Sequence, residues 1–281
     1  MTTRKTTQKA AATGSAAKTP AAGAGSTRKT ASSDRMHDIF APTAPDTPPV
    51  LGPAESTADD ARSAAGAPVS GPDEATWAYA EGFHRERSEI ARAREAAEQL
   101  DTVPVSPGVA STLTFLARAA RARSVVEIGS GAGVSGLALY AGMAPDGVLT
   151  SIDSDSELQR VARRMFRDAG IPSNRIRLIG GDALTVMPKL SDAAYDLVFV
   201  DGDMLDCGEY IEQAQRLLRP DGVLVVNNAL WYNLVADPEN EDNETIVIRE
   251  ALDAVSSMDD AWVPALLPVG NGLLVASRRA S

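Results

Sequence analysis

The stretch "EIGSGAGVSG", residues 127–136, decides how the rest of the chain is read. It begins inside "SVVEI" (124–128), a short apolar run rich in β-branched residues, which has the composition of a buried strand. Gly129, Gly131 and Gly133 follow at once, at the start of a helix. Glycine in such a turn permits positive φ and a close backbone approach to a ligand, while the helix start offers free N–H groups. Residues 131–136, "GAGVSG", also satisfy the dinucleotide pattern G-x-G-x-x-G. Glycines alone do not settle the ligand, because tight strand–helix turns need them for steric reasons too.

Working outward, strands and helices alternate. "VLTSI" (148–152) reads as a second strand, and Ser156 to Ala169 as a helix with Leu158, Val161, Ala162, Met165 and Phe166 on one face and Gly170 at its end. "RIRLI" (175–179) and "YDLVFVD" (195–201) are further strands. Tyr210, Ile211, Ala214, Leu217 and Leu218 mark the next helix, and "RPDG" (219–222) turns the chain into the strand of "VLVVNNALWY" (223–232). Upstream, a helical region spans Glu74 to Leu100 with Trp77, Ala80, Phe83, Ile90 and Ala93, and a second spans Gly108 to Ala120. Near the end, "VPALLPV" and "LLVAS" flank Gly270-Asn271-Gly272, the pattern of an antiparallel hairpin. The expected fold is therefore α/β: a Rossmann-like, doubly wound and mostly parallel sheet closed by that hairpin, over residues 73–281.

Residues 1–72 differ in kind. They are dominated by Ala, Thr, Ser, Gly and Pro, with Phe40 as their only aromatic residue, and read as a disordered tail. Residues 1–33 carry six basic side chains and no acidic one, and residues 1–70 hold 8 basic and 6 acidic. The whole chain has 27 basic and 38 acidic residues, which leaves 19 and 32 for the remainder, a balance of −13. A domain that acidic is a poor partner for nucleic acid, whose phosphates call for clustered Lys and Arg. The start of the chain has no continuous apolar run of the signal-peptide kind, and no stretch approaches the roughly 18 apolar residues of a membrane span. Cys207 is alone, which leaves neither a disulfide framework nor a thiolate cluster. The expectation is a cytoplasmic protein.

The charges around the glycine loop bear on its ligand. Asp153 ends the second strand, where a carboxylate accepts ribose hydroxyls in either nucleotide class. Glu127 stands two residues before the first glycine. A carboxylate there would repel a pyrophosphate and suits a ligand with a cationic end. S-adenosylmethionine, with its ammonium and sulfonium groups, fits better than NAD, and no Tyr-x-x-x-Lys hydride-transfer pair is evident. "GGDAL" (180–184), "YDLVFVDGD" (195–203) and "RPDGVLVVNNALW" (219–231) complete an ordered set of motifs. Over residues 77–279 the chain resembles the class I methyltransferases, and more closely the small O-methyltransferases of the catechol and caffeoyl-coenzyme A type.

That resemblance implies a seven-stranded sheet with the donor at the C-terminal strand ends. Val105 in "VSP" would contact the donor from the preceding loop, and Glu127, Gly129, Ser130, Gly131 and Ser135 would hold its amino-acid end. Asp153 would take the ribose and Asp182 with Ala183 the adenine side, while Asp201 would lie between donor and acceptor. Ser135 and Asp182 could equally serve as helix caps. The acceptor implied is a small hydroxylated, aromatic molecule, and similar enzymes are often dimers, although no stretch marks an interface.

The resemblance also implies a divalent ion held by an Asp on the fourth strand and an Asp-Asn pair on the fifth. Phenols ionise near pH 10, and a bound metal favours the attacking phenolate. Here Asp201 fits, but the pair reads Asn227-Asn228, and the family's Asp-Ala-Asp-Lys has become Asp201-Gly202-Asp203-Met204. Mg²⁺ prefers carboxylates, so the site is weakened. Three readings of the amides stay open: an impaired metal site assisted by Asp203, direct partners of an acceptor in a metal-free enzyme, or satisfaction of backbone groups at the strand end. A replacement base would be Asp201 itself or His84, the one histidine of the folded part, expected on the helical region before the donor loop. Trp231, Tyr232 and Tyr210 could line an aromatic pocket. Besides an O-methyltransferase, a non-catalytic domain that senses the donor or its product fits the altered positions.

Overall fold

The structure, a computed structural model, describes residues 73–280. The tail assigned to residues 1–72, with its basic start, lies outside the described residues.

Helix α1 (Glu74–Glu81) starts at Asp73, whose side chain accepts the Thr76 N–H at 2.8 Å. The helical region expected to run unbroken to Leu100 is two helices, because Gly82 ends α1 and α2 (Ser88–Glu98) begins afresh after Arg87. The separation changes the packing. Ile90 and Ala93 on α2 are buried as expected, whereas Phe83, stranded in the connection, is 76% exposed. Helix α3 (Pro107–Ala119) follows with Pro at its first turn and Ser106 Oγ capping the Val109 N–H.

From there the α/β alternation holds. Strand β1 (Ser124–Ile128) leads through the glycine loop into α4 (Val134–Gly142), then come β2 (Val148–Asp153), α5 (Ser156–Asp168) and β3 (Ile176–Gly180). A short α6 (Ala183–Val186), β4 (Tyr195–Val200), α7 (Cys207–Leu217) and β5 (Leu218–Asn227) follow. Helix α8 (Asn243–Ser257) precedes the final β6 (Trp262–Leu267) and β7 (Leu273–Arg278). The seven strands lie in the order β3-β2-β1-β4-β5-β7-β6. The first five are parallel, and β7 runs antiparallel to both β5 and β6. "RPDG" falls within β5, yet the pairing with β4 jumps from Tyr195–Leu218 to Leu197–Val223. Residues 219–222 therefore loop out of the ladder, with Asp221 at φ 63°, and the expected turn survives as a bulge.

Burial explains why the central strands carry no polar alternation. On β1 and β4, Val126, Ile128, Val198 and Val200 face one apolar layer with α7, α8 and Trp262. Val125, Leu197 and Phe199 face the other, with Ile90, Leu113, Leu137 and Phe166. A sheet covered on both sides has to be apolar on both faces. The strand order reverses between β1 and β4, which opens a crevice at their C-terminal ends, the usual place for a ligand in such sheets. The β6–β7 turn reaches that crevice too. Ala229 and Leu230 donate their N–H groups to Gly272 and Asn271 carbonyls at 3.0 and 2.8 Å, stitching the turn to the chain leaving β5.

Candidate functional site

The glycine loop and strand β2 build one half of the site. Gly129, Gly131 and Gly133 all have positive φ, at 87°, 47° and 98°. Gly129 has no alternative: a Cβ there would lie 2.1 Å from the Asp201 carbonyl oxygen. Glu127 is fully buried beneath the loop and accepts hydrogen bonds from Ser135 Oγ at 2.6 Å and from Ser151 Oγ. Ser130 and Ser151 share a further contact at 2.6 Å, and both are buried. Removal from water pushes the Glu127 carboxyl up to about 8 against the pull of the two serine hydroxyls, with the charges of Asp201 and Asp153 adding to the rise. Asp153 accepts from Gly131 N at 3.0 Å and Asp155 N at 2.8 Å. Two backbone donors thus hold its carboxylate at the mouth of the loop.

Asp182 is exposed, and its side chain caps α6 through the Thr185 N–H at 2.7 Å, the helix-cap alternative noted for it. Ala183 beside it is buried. Ser135, the other residue with a capping alternative, instead binds Glu127.

The second half is a cavity of about 220 Å³ lined by Val105, Asp201, Asn227, Asn228, Tyr232 and Asn271, among others. Asp201 Oδ1 accepts the Asn227 amide at 2.9 Å and the Asn228 amide at 3.3 Å. Asn271 donates in turn to Asn228 Oδ1 at 3.4 Å. Burial pushes the Asp201 carboxyl up to about 6, opposed by the Asn227 hydrogen bond and supported by the charge of Asp153. Asn228 sits at φ 59°, a left-handed conformation that asparagine tolerates, and Tyr232 at φ 55°.

This donor set offers a divalent cation a single carboxylate, one fewer than the resemblance implies. A hard ion binds oxygen, and both amides turn N–H groups, not carbonyls, toward the single carboxylate of the cluster. Asp203, expected to assist, is exposed and caps the next turn through Leu205 N at 3.0 Å. Among the described residues there is no group of three His, Cys, Asp or Glu side chains placed to hold a metal.

His84 does not reach the site. It lies exposed in the connection between α1 and α2, not on a helix, beside a small hollow of about 30 Å³ with Arg87 and Ile90. The break at Gly82 carries it away. Tyr210 is buried against the core and its hydroxyl meets Asp206 at 3.3 Å, so it lines no acceptor pocket, whereas Tyr232 does. Trp231 packs on the core beside Tyr232. Cys207 is buried with its thiol pushed up to about 12 by burial, which removes it as a nucleophile.

Sequence reasoning missed Ser151, Asn271 and Glu81. Ser151 is a fully buried polar residue inside a strand, and that is the signal that could have found it. Asn271 reads as ordinary turn composition. Glu81 is one of two glutamates on α1 and nothing in the sequence sets it apart, yet its carboxylate accepts Gly108 N at 2.8 Å and Gly270 N at 2.7 Å, tying α1 to α3 and to the β6–β7 turn.

The sheet order, the glycine loop and the acidic strand ends define a class I methyltransferase fold. A family model described as O-methyltransferase matches residues 83–279, and the chain belongs to that family. A protein of Mycobacterium tuberculosis (strain H37Rv) named as an O-methyltransferase is 44% identical over 213 residues, covering 76% of this chain and 95% of that one. A crystal structure of a Corynebacterium glutamicum protein superposes with a TM-score of 0.67 at 32% identity, over 72% of this chain and 95% of the other. The O-methyltransferase TomG of Streptomyces achromogenes, solved with S-adenosylmethionine, gives 0.66 at 26% identity over 74% and 100%. Membership in this family removes the NAD-dependent oxidoreductase and disfavours the non-catalytic sensor. No helix among the described residues is long and apolar enough to cross a membrane.

Proposed function

We propose that this O-methyltransferase moves the methyl group of S-adenosylmethionine to a hydroxyl of a small aromatic acceptor, without a divalent ion. The observation that carries the reading is the double position of Asp201. Its backbone presses on Gly129 of the donor loop, and its side chain lines the acceptor cavity. Glu127, through Ser135 and Ser151, sets a negative charge beneath the donor's ammonium end, and Gly129, Ser130 and Gly131 frame it. Asp153 takes the ribose hydroxyls, Asp182 and Ala183 flank the adenine, and Val105 closes the donor from the α3 side.

In the reaction the acceptor oxygen attacks the methyl carbon, the carbon–sulfur bond breaks with its electron pair going to sulfur, and the hydroxyl proton leaves. Asp201 is its acceptor. Oδ1 is held by the two amides, which leaves Oδ2 to face the hydroxyl. This arrangement does by hydrogen bonding and in-line positioning what a metal does elsewhere by Lewis acidity. The same reading places the protein in the cytoplasm, supported by one buried, unpaired cysteine. It also includes a homodimer, supported by Val263 and Leu266 exposed on the outermost strand β6.

The test is methyl transfer from labelled S-adenosylmethionine to a panel of catechols and phenols, with Mg²⁺ or with EDTA. Product that survives EDTA is expected. Product only with Mg²⁺ would restore the metal site, and no product from donor-binding protein would return the choice to the sensor.

A further inference from the structure

The acceptor cavity does not end at Asp201. A second hollow of about 550 Å³ adjoins it, sharing Ser106 and Gly270, and is lined by Trp77, Glu81, Leu230, Asn233 and Pro268 among others. No Lys, Arg or His lines either space among the described residues, while two carboxylates do. Arg94 touches the lining from behind, at the Val105 carbonyl, and it is already committed. Its guanidinium donates to the Val105 carbonyl at 2.7 Å and pairs with Glu86 at 2.7 Å.

Both carboxylates are themselves held by donors. Glu81 takes two backbone N–H groups and Asp201 takes two amides. Among the described residues neither pairs with a cation, so the protein's own groups give the combined space a negative potential, and the rest of the domain, with a balance of −13 outside residues 1–70, deepens it. A phosphate or carboxylate in the outer hollow, away from the donor's sulfonium, would lose its water and meet no cationic side chain among the described residues. The half-buried Trp77 and the apolar Leu230 and Pro268 instead offer contact surface to an uncharged or cationic body.

Building on the acceptor reading above, we propose that the pocket selects aromatic hydroxyl compounds bearing no anionic group. It thereby excludes phosphate-bearing thioesters of the coenzyme A type. The acceptor extends from its reacting hydroxyl at Asp201 toward Trp77, with a neutral or amine-bearing end in the outer hollow.

The experiment uses the full chain, S-adenosylmethionine and four acceptors sharing one dihydroxyphenyl ring. These are catechol, its 4-(2-aminoethyl) derivative, 3,4-dihydroxybenzoate and the coenzyme A thioester of caffeic acid. The expected kcat/KM for the amine equals or exceeds that for catechol. The benzoate is expected to fall on the order of tenfold lower, and the thioester to give no product above background. Val103 lines the inner cavity and is 91% exposed, so Val103→Lys places a cation at the rim without disturbing the core. It is expected to narrow the catechol-to-benzoate gap by about threefold to tenfold. Anionic members used within about threefold of catechol, or a gap that Val103→Lys leaves unchanged, would overturn the charge rule alone. No product from any of the four would overturn the acceptor reading and this inference with it.

Discussion

The two halves of the site are built on different principles. On the donor side Glu127, Ser130, Ser135 and Ser151 are all buried and closed into one hydrogen-bonded chain. On the acceptor side Asp201, Asn227, Asn228 and Asn271 form an open cluster on a cavity wall. The donor half rests on strand ends of a rigid sheet, so its geometry is fixed wherever its ligand is the same. The acceptor half comes from the chain leaving β5 and the β6–β7 turn, segments that can change without disturbing the sheet.

The widest separation between the halves is expected from Asp201→Asn. Removing the proton acceptor is expected to lower kcat by about 10²–10⁴-fold. The donor Kd, read by calorimetry, stays within about threefold, because Oδ1 and its amides are kept in outline. An equal loss in donor affinity would place Asp201 in the donor half. Asp153→Ala is the converse. Loss of a charged partner for two hydroxyls is expected to weaken the donor by about 10²–10⁴-fold, since hydrogen bonds to charged groups contribute ~1.5–3 kcal/mol each. Unchanged donor affinity would sink the assignment of the ribose to this residue.

How well each half could be read from the sequence follows from the same contrast. Glu127, the three glycines and Asp153 sit next to strands whose apolar runs are unmistakable, so their relative placement comes with the sheet. Asp201 and the asparagines were legible as a pair of strand ends, β4 and β5, that must be neighbours. Asn271 and Glu81 were not. Their partners are 43 and 189 residues away, at Asn228 and Gly270, and turn or helix composition says nothing about such contacts. His84 failed for a local reason. The charges of "EGFHRER" mask the helix end at Gly82, and His84 falls in the connection between two helices where one unbroken helix was expected.

Asn227→Asp tests the acceptor half in the opposite direction, by restoring the carboxylate that the resemblance implies. Without metal, two carboxylates side by side are expected to cost about 1–3 kcal/mol in denaturant unfolding. Mn²⁺ titration followed by electron paramagnetic resonance is expected to show a bound ion in the variant and none in the parent. Bound Mn²⁺ in the parent would mean that the amides rotate to offer their carbonyls, and the metal-free reading would fall.

The last effect expected is a slope, spread over several pH units, and belongs to the donor half. The Glu127 carboxyl is held at about 8 when folded, against 4.5 for an ordinary glutamate. Between those values the folded protein keeps a proton that the unfolded chain has released. Its stabilising contribution is therefore complete below about 4.5, declines as the pH rises, and is gone above about 8. One proton sets the limit at about 1.4 kcal/mol per pH unit. Denaturant unfolding from pH 5 to 8.5 is expected to show this decline in the parent and not in Glu127→Gln, whose amide can still meet both serine hydroxyls. Saturating S-adenosylmethionine is expected to flatten the parent's slope as well, because the donor's ammonium favours the ionised carboxylate and expels the proton on binding. Parallel curves for parent and variant would mean that Glu127 is ionised in the free protein, with the serines outweighing burial. The donor would then meet a charge already formed, and its affinity would show no rise with pH.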